Sequence, residues 1–149
     1  MIDLALEIAQ RLIRRFEGCI LSPYLCPAGV ATIGYGSTRY EDGSSVSLTD
    51  APITRARAEQ MMLRSVLTEY LPAVRKLCPD IDSPDRLAAI IDFTYNLGAS
   101  RLRASTLRRR INAGEWEAVP AELNKWVYAG GRPLNGLRLR RQAEAALIQ

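Results

Sequence analysis

Apolar residues near the start of the chain recur at Ala5, Ile8, Ala9, Leu12, Ile13 and Phe16, in steps of three, one, three, one and three. That spacing is the stripe along one face of an amphipathic helix. The helix is expected to end near Gly18. From Ser22 to about Val46 the pattern changes. "PYLCPAGVATIGYG" places short β-prone runs on either side of Pro27-Ala28-Gly29, which predicts a hairpin, with room for a third strand before or after Asp42-Gly43. "EDGSSVSLTDAP" reads as a polar loop. Helical spacing returns after Thr54, a suitable N-cap, and "RARAEQMMLRSVLTEYL" carries it to Pro72. Ser83 followed by Pro84 is an N-cap with proline in the first turn, opening "DRLAAIIDFTYNL", which stops at Gly98. Ser105 or Thr106 opens a short basic helix ending at Gly114. "EWEAVPAELNKWV" reads as a helix bent near Pro120, and "LRLRRQAEAALI" as the closing helix.

One helix, a small β-region and then a run of helices make an α+β fold with segregated parts. The expected organisation is a single domain over residues 1–149. Residues 19–53 form a small β-lobe, and residues 1–18 with 54–149 form a larger helical lobe. A long helix from about Thr54 bridges the two and leaves a cleft between them. A chain of 149 residues can bury one sizeable core. It shows neither an internal repeat nor a low-complexity tract.

Charge and composition narrow the chemistry. Net charge is +4 with a pI near 9.2. This favours anionic partners such as nucleic acid, acidic membrane or cell-wall polymer, without choosing among them. The chain has no histidine. A Ser-His-Asp triad, a Cys-His dyad and a His-containing zinc site are therefore all excluded. Any acid–base chemistry rests on Asp, Glu, Lys, Cys or Tyr. Cys19, Cys26 and Cys78 are an odd, scattered set, poor as a metal site and not a disulfide framework; a single bridge such as Cys19–Cys26 is open but not implied. The first sixteen residues carry Asp3, Glu7, Arg11, Arg14 and Arg15, so they neither span a membrane nor read as a signal peptide. No cofactor or metal is expected.

Glu17 stands out locally. It falls at the negative end of the first helix, where a carboxylate is disfavoured, and beside Phe16 on the edge of the apolar stripe. A carboxyl group in a partly apolar cleft is suited to general-acid work, although a surface glutamate is the plainer reading of that residue alone. Gly34 and Gly36 either permit a bend or let a polymer approach the backbone. "RLRASTLRRR" carries five arginines and reads as a solvated helix face rather than a nucleic-acid patch. Phe93, Tyr95, Trp116 and Trp126 read as core; Tyr24 and Tyr35 are the better candidates for stacking on a sugar.

The segment "FEGCILSPYLCPAGVATIGYGST" resembles the phage-type lysozymes, glycoside hydrolase family 24. Their signature is Glu, eight residues, Asp or sometimes Cys, five residues, then Thr; Glu17, Cys26 and Thr32 match it. "FTYNLGASRLRASTLRRRINAGEW" and "KWVYAGGRPLNGLRLRRQAEAAL" resemble the family's helical-lobe and C-terminal segments, so the likeness covers nearly the whole chain. The chain departs from the pattern at Cys26, where Asp is commoner, and at Ser37, where members often carry histidine.

The resemblance implies a lysozyme-like fold with the active site between the lobes. The implied activity is a muramidase cutting the β-1,4 bond between N-acetylmuramic acid and N-acetylglucosamine in peptidoglycan, with inversion. It also implies host lysis in a phage or prophage setting. On this reading Glu17 is the acid, and Cys26 and Thr32 place water. Tyr35, Arg138 and Arg141 contact substrate or the catalytic glutamate. The enzyme is expected to be a cofactor-free monomer, made in the host cytoplasm and acting in the periplasm. A separate holin would let it through; no nucleic acid and no membrane span are involved. Lytic transglycosylase and non-catalytic wall binding are the alternatives.

Overall fold

The structure is a computed structural model that describes residues 1–149. The first helix, α1 (Ile2–Glu17), buries Ala5, Ala9 and Ile13, the stripe read from its spacing, and ends where Gly18 turns the chain at φ 67°. A two-stranded antiparallel hairpin follows, β1 (Ile20–Leu25) and β2 (Ala31–Gly34), paired Tyr24 to Thr32 and Leu25 to Ala31, with a bulge between Ile20 and Tyr24. No third strand forms around Asp42-Gly43. A single bridge between Arg39 and Ser45 closes that turn instead. Asp42, a turn-favouring residue, accepts from the Ser44 backbone and hydroxyl.

Thr54 caps α2 (Arg55–Ser65) by accepting from the Arg57 N–H. The helix does not end at Pro72. It passes through a π-helical turn (Val66–Tyr70) into α3 (Leu71–Leu77). A proline inside a regular helix lacks a donor and strikes the carbonyl four residues back. Here the Leu71 N–H reaches back five residues to the Val66 carbonyl, so the wider π turn makes room for Pro72. The result is one long helical run from the β-region into the helical part.

Ser83 caps α4 (Pro84–Leu97). Eight consecutive residues of α4, Leu87 to Thr94, are buried. A helix buried all round is the centre of its fold, and α1, α3, α5 (Ala99–Ala104) and α8 (Asn135–Ala146) pack against it. Ser105 caps α6 (Thr106–Asn112) through the Arg108 N–H. The predicted long helix over "EWEAVPAELNKWV" is shorter: a 3-10 turn (Trp116–Ala118) and then α7 (Val119–Leu123). After it comes a two-residue ladder, β3 (Tyr128–Ala129) with β4 (Arg132–Pro133). Gly130 and Gly131 both have positive φ, as a tight hairpin turn requires. The fold is α+β, mostly helical with a small β-hairpin.

Candidate active site

Glu17 is the last residue of α1, and its side chain keeps 19% of its surface exposed. Its Oε1 accepts from Arg140 Nη1 of α8 at 2.5 Å. The rest of the Arg140 guanidinium forks onto Asp92 of α4, Nε to Oδ2 at 2.9 Å and Nη2 to Oδ1 at 2.8 Å. Asp92 is wholly buried. Burial opposes the charge on Arg140, but Asp92 and then Glu17 outweigh it and raise its pKa above the ordinary arginine value. One planar cation thus ties the end of α1 to the central helix by bidentate geometry that lysine could not supply.

The other carboxylate oxygen meets the hairpin. A Cβ placed on Gly36 would lie 2.7 Å from Glu17 Oε2, and Gly36 has φ 78°. The glycine serves both a left-handed backbone and the close approach of this carboxylate. Gly36→Ala is therefore expected to cost about 1–2 kcal/mol in backbone strain alone. It should also push Glu17 aside, so that lytic rate falls further than the lost stability accounts for. Urea denaturation and a lysis assay on the same preparation check this; unchanged activity would mean that Glu17 does not need that position.

Cys26 and Thr32 lie together at the hairpin end. The Cys26 N–H donates to the Val30 carbonyl at 3.0 Å, and the Thr32 hydroxyl donates to the same carbonyl at 2.8 Å. Thr32 is 3% exposed, and Cys26 is part-exposed with a free thiol. Hydrogen bonding from the backbone at Val30, with smaller contributions from Ala28 and Thr32, lowers the Cys26 pKa below the ordinary thiol value. The cause is the turn backbone rather than the arginines. Cys78 is the opposite case: burial raises its thiol to about 11.

Three tyrosines register the charge of Glu17. Burial raises the Tyr24 hydroxyl, and the nearby charges of Glu17 and Cys26 add to it. Burial raises Tyr70 to about 12, with Glu69 and Glu17 adding to it. Tyr95 is raised in the same way, and its hydroxyl donates to the Tyr35 carbonyl at 2.5 Å. Beside Gly36 a polar groove runs between residues 36–43 and 61–70, lined by Ser37, Arg39, Asp42, Ser65 and Glu69.

Tyr35 and Arg141 are buried away from any substrate, and Arg138 does not pair with Glu17. Tyr35 is only 2% exposed, and its hydroxyl donates to Glu59 at 2.7 Å, so it offers no face to a sugar. Arg138 is exposed and donates to Asn135. Arg141 is wholly buried and donates to Glu144 and Asn96, both at 2.8 Å. The guanidinium at Glu17 belongs to Arg140, which lies between the two. Asp92 was missed as well. Its signal was present in the sequence: one acid in the otherwise apolar run "LAAIIDF".

A carboxylate at a helix end, pinned by a buried arginine and set against a glycine of a small hairpin, makes a candidate acid site in a mostly helical fold. The phage lysozyme family model matches residues 14–144. The chain is 34% identical over 142 residues to an endolysin of Acyrthosiphon pisum secondary endosymbiont phage 1, covering 93% of this chain and 92% of that one. It is 33% identical over 131 residues to a SAR-endolysin of bacteriophage PS119, covering 86% and 73%. The solved endolysin from Escherichia coli O157:H7 phage FAHEc1 superposes with a TM-score of 0.82 at 32% identity, covering 95% and 90%. The chain belongs to the phage lysozyme family. It is a glycoside hydrolase of that family, acting on peptidoglycan.

Proposed function

We propose that this enzyme cleaves the β-1,4 bond between N-acetylmuramic acid and N-acetylglucosamine. Glu17 acts as general acid, while Cys26 and Thr32 place the attacking water. The observation that carries this reading is the division of labour between the two oxygens of Glu17. Oε1 accepts from Arg140 and carries no proton there. Oε2, which faces Gly36, is therefore the oxygen free to deliver a proton. The leaving glycosidic oxygen approaches Oε2, which holds its place because Gly36 has no Cβ. Water attacks the opposite face of the sugar, as inversion demands. Cys26 stands where a second carboxylate would otherwise serve, and the turn backbone favours its thiolate, the better acceptor.

Wall cleavage by this chain would lyse a phage host, as the endolysin names of its relatives suggest. No helix is long and apolar enough to cross a membrane. The proposed route is synthesis in the cytoplasm, passage through a separate holin, and action in the periplasm as a monomer. A lytic transglycosylase is the second reading. Cys26 in place of a carboxylate favours it, because ring closure needs only the acid.

The test of the water-placing role is substitution at position 26. Cys26→Ala should fold and lose about 10²-fold in rate, while Cys26→Asp stays active. In a Cys19→Ser background, iodoacetamide should inactivate the enzyme with a pH midpoint below the ordinary thiol value and leave Cys78 unmodified. Full activity in Cys26→Ala or in the alkylated enzyme would make Cys26 a spectator.

A further inference from the structure

Behind the Glu17–Arg140 pair, the interface of α4 and α8 buries Asp92, Arg141 and Glu144 completely. Glu144 Oε1 accepts from Arg141 Nη2 at 2.8 Å. Its Oε2 is buried and has no partner. The group alongside is Asp92, whose two oxygens already accept from Arg140. Two ionised carboxylates can only accept, so nothing would bridge them, and an unpaired buried charge is costly. Charged groups on the packed elements leave that oxygen without a partner. Asp92 comes from α4 and Glu17 from α1; α7 contributes Glu122, which is bonded to Lys125.

We propose that Glu144 is a positioning residue: as a neutral carboxylic acid it donates its Oε2 hydroxyl to Asp92 and thereby fixes the Asp92–Arg140–Glu17 chain. The missing partner of Oε2 is then Asp92. Burial, and next the hydrogen bond with Asp92, push Glu144 well above the usual carboxylate range, against the opposing pull of Arg141. A proton is thus stored one link behind the candidate acid. Only the activity arm of the test below rests on the reading of Glu17 as that acid.

The sign of the pH effect follows from where the proton sits. An unfolded glutamate ionises near 4.3, whereas the folded one ionises at much higher pH, so across the interval the unfolded state binds one proton fewer. Wild-type stability therefore falls as pH rises through that window, by up to about tenfold in the folding constant per pH unit. Glu144→Gln lacks this dependence. Its amide keeps both the oxygen facing Arg141 and a donor facing Asp92.

Three measurements on the full chain test the proposal. Carbon-13 carboxyl NMR should show one glutamate resonance, absent in Glu144→Gln, that does not move while the surface glutamates titrate. The folding constant of Glu144→Gln relative to wild type should rise with pH above about 4.3. Glu144→Leu, which removes the donor, should lower kcat/KM on soluble peptidoglycan fragments by about 10²-fold, and Glu144→Gln should restore it. A Glu144 resonance titrating with the others, or a flat ratio of folding constants, overturns the neutral acid. Undiminished activity in a folded Glu144→Leu, or equal loss in Glu144→Gln, overturns the positioning role. If the leucine variant does not fold, the resonance and the glutamine variant still decide. If Glu17 is not the acid, Glu17→Gln assayed alongside keeps its activity, while the Glu144 resonance stays as expected.

Discussion

Glu17→Gln is expected to fold like wild type and to lose about 10²–10⁴-fold in lytic rate, the usual worth of a positioned general acid. Gln matches Glu in shape, and its amide oxygen can still accept from Arg140 Nη1, so the tie between α1 and α8 survives. Its amide nitrogen takes the place of Oε2 beside Gly36. That nitrogen can form a hydrogen bond but cannot hand a proton to a departing alkoxide. The loss should therefore appear in kcat and leave the unfolding midpoint nearly unchanged. Turbidity loss of outer-membrane-permeabilised Gram-negative cells measures the first, and urea denaturation the second. A folded variant that keeps most of its activity would remove Glu17 from the acid role.

Arg140→Met should cost about 3–5 kcal/mol, the range for breaking a buried ion pair from one side. The arginine side chain is 4% exposed and Asp92 is wholly buried, so the aspartate left behind loses its counter-charge and cannot reach water instead. Replacing both members together should cost much less, because two apolar groups of similar volume leave no charge stranded. The Arg140→Met, Asp92→Leu double variant should thus recover a large part of the single variant's loss in urea. The same double variant should stay poorly active, since Glu17 Oε1 has lost its donor. A single-variant loss near zero would mean that Asp92 finds another partner.

Much of the fold is legible in local pattern. The stripe of α1, the caps at Thr54, Ser83 and Ser105, and the stop at Gly98 all follow from short-range chemistry. Two misreadings have a common physical cause. Pro72 reads as a stop, because a regular helix cannot hold it, yet a π turn can. The β3–β4 ladder has only two residues per strand, too few for a period, although Gly130-Gly131 marks its turn. The site was legible in part. Glu17, Cys26 and Thr32 stand out by resemblance, but which of three nearby arginines meets Glu17 depends on the rotation of α8 against α4. Arg140 and Arg141 both face inward and separate by one helical step, one to Asp92 and Glu17, the other to Glu144. Arg138 falls outside that face. Tyr35 looked exposed because its glycine neighbours suggest a surface turn; instead its ring fills the core and its hydroxyl meets Glu59.

On the proposed mechanism Glu17 protonates the leaving oxygen and water from the hairpin side completes hydrolysis. Mass spectrometry of fragments released from purified Gram-negative peptidoglycan tests it most directly. Wild-type enzyme should release fragments with reducing N-acetylmuramic acid ends, each carrying one added water, and Glu17→Gln should release almost none. Fragments with anhydro ends, one water lighter, would instead make the enzyme a transglycosylase, and wall binding without released fragments would contradict catalysis altogether.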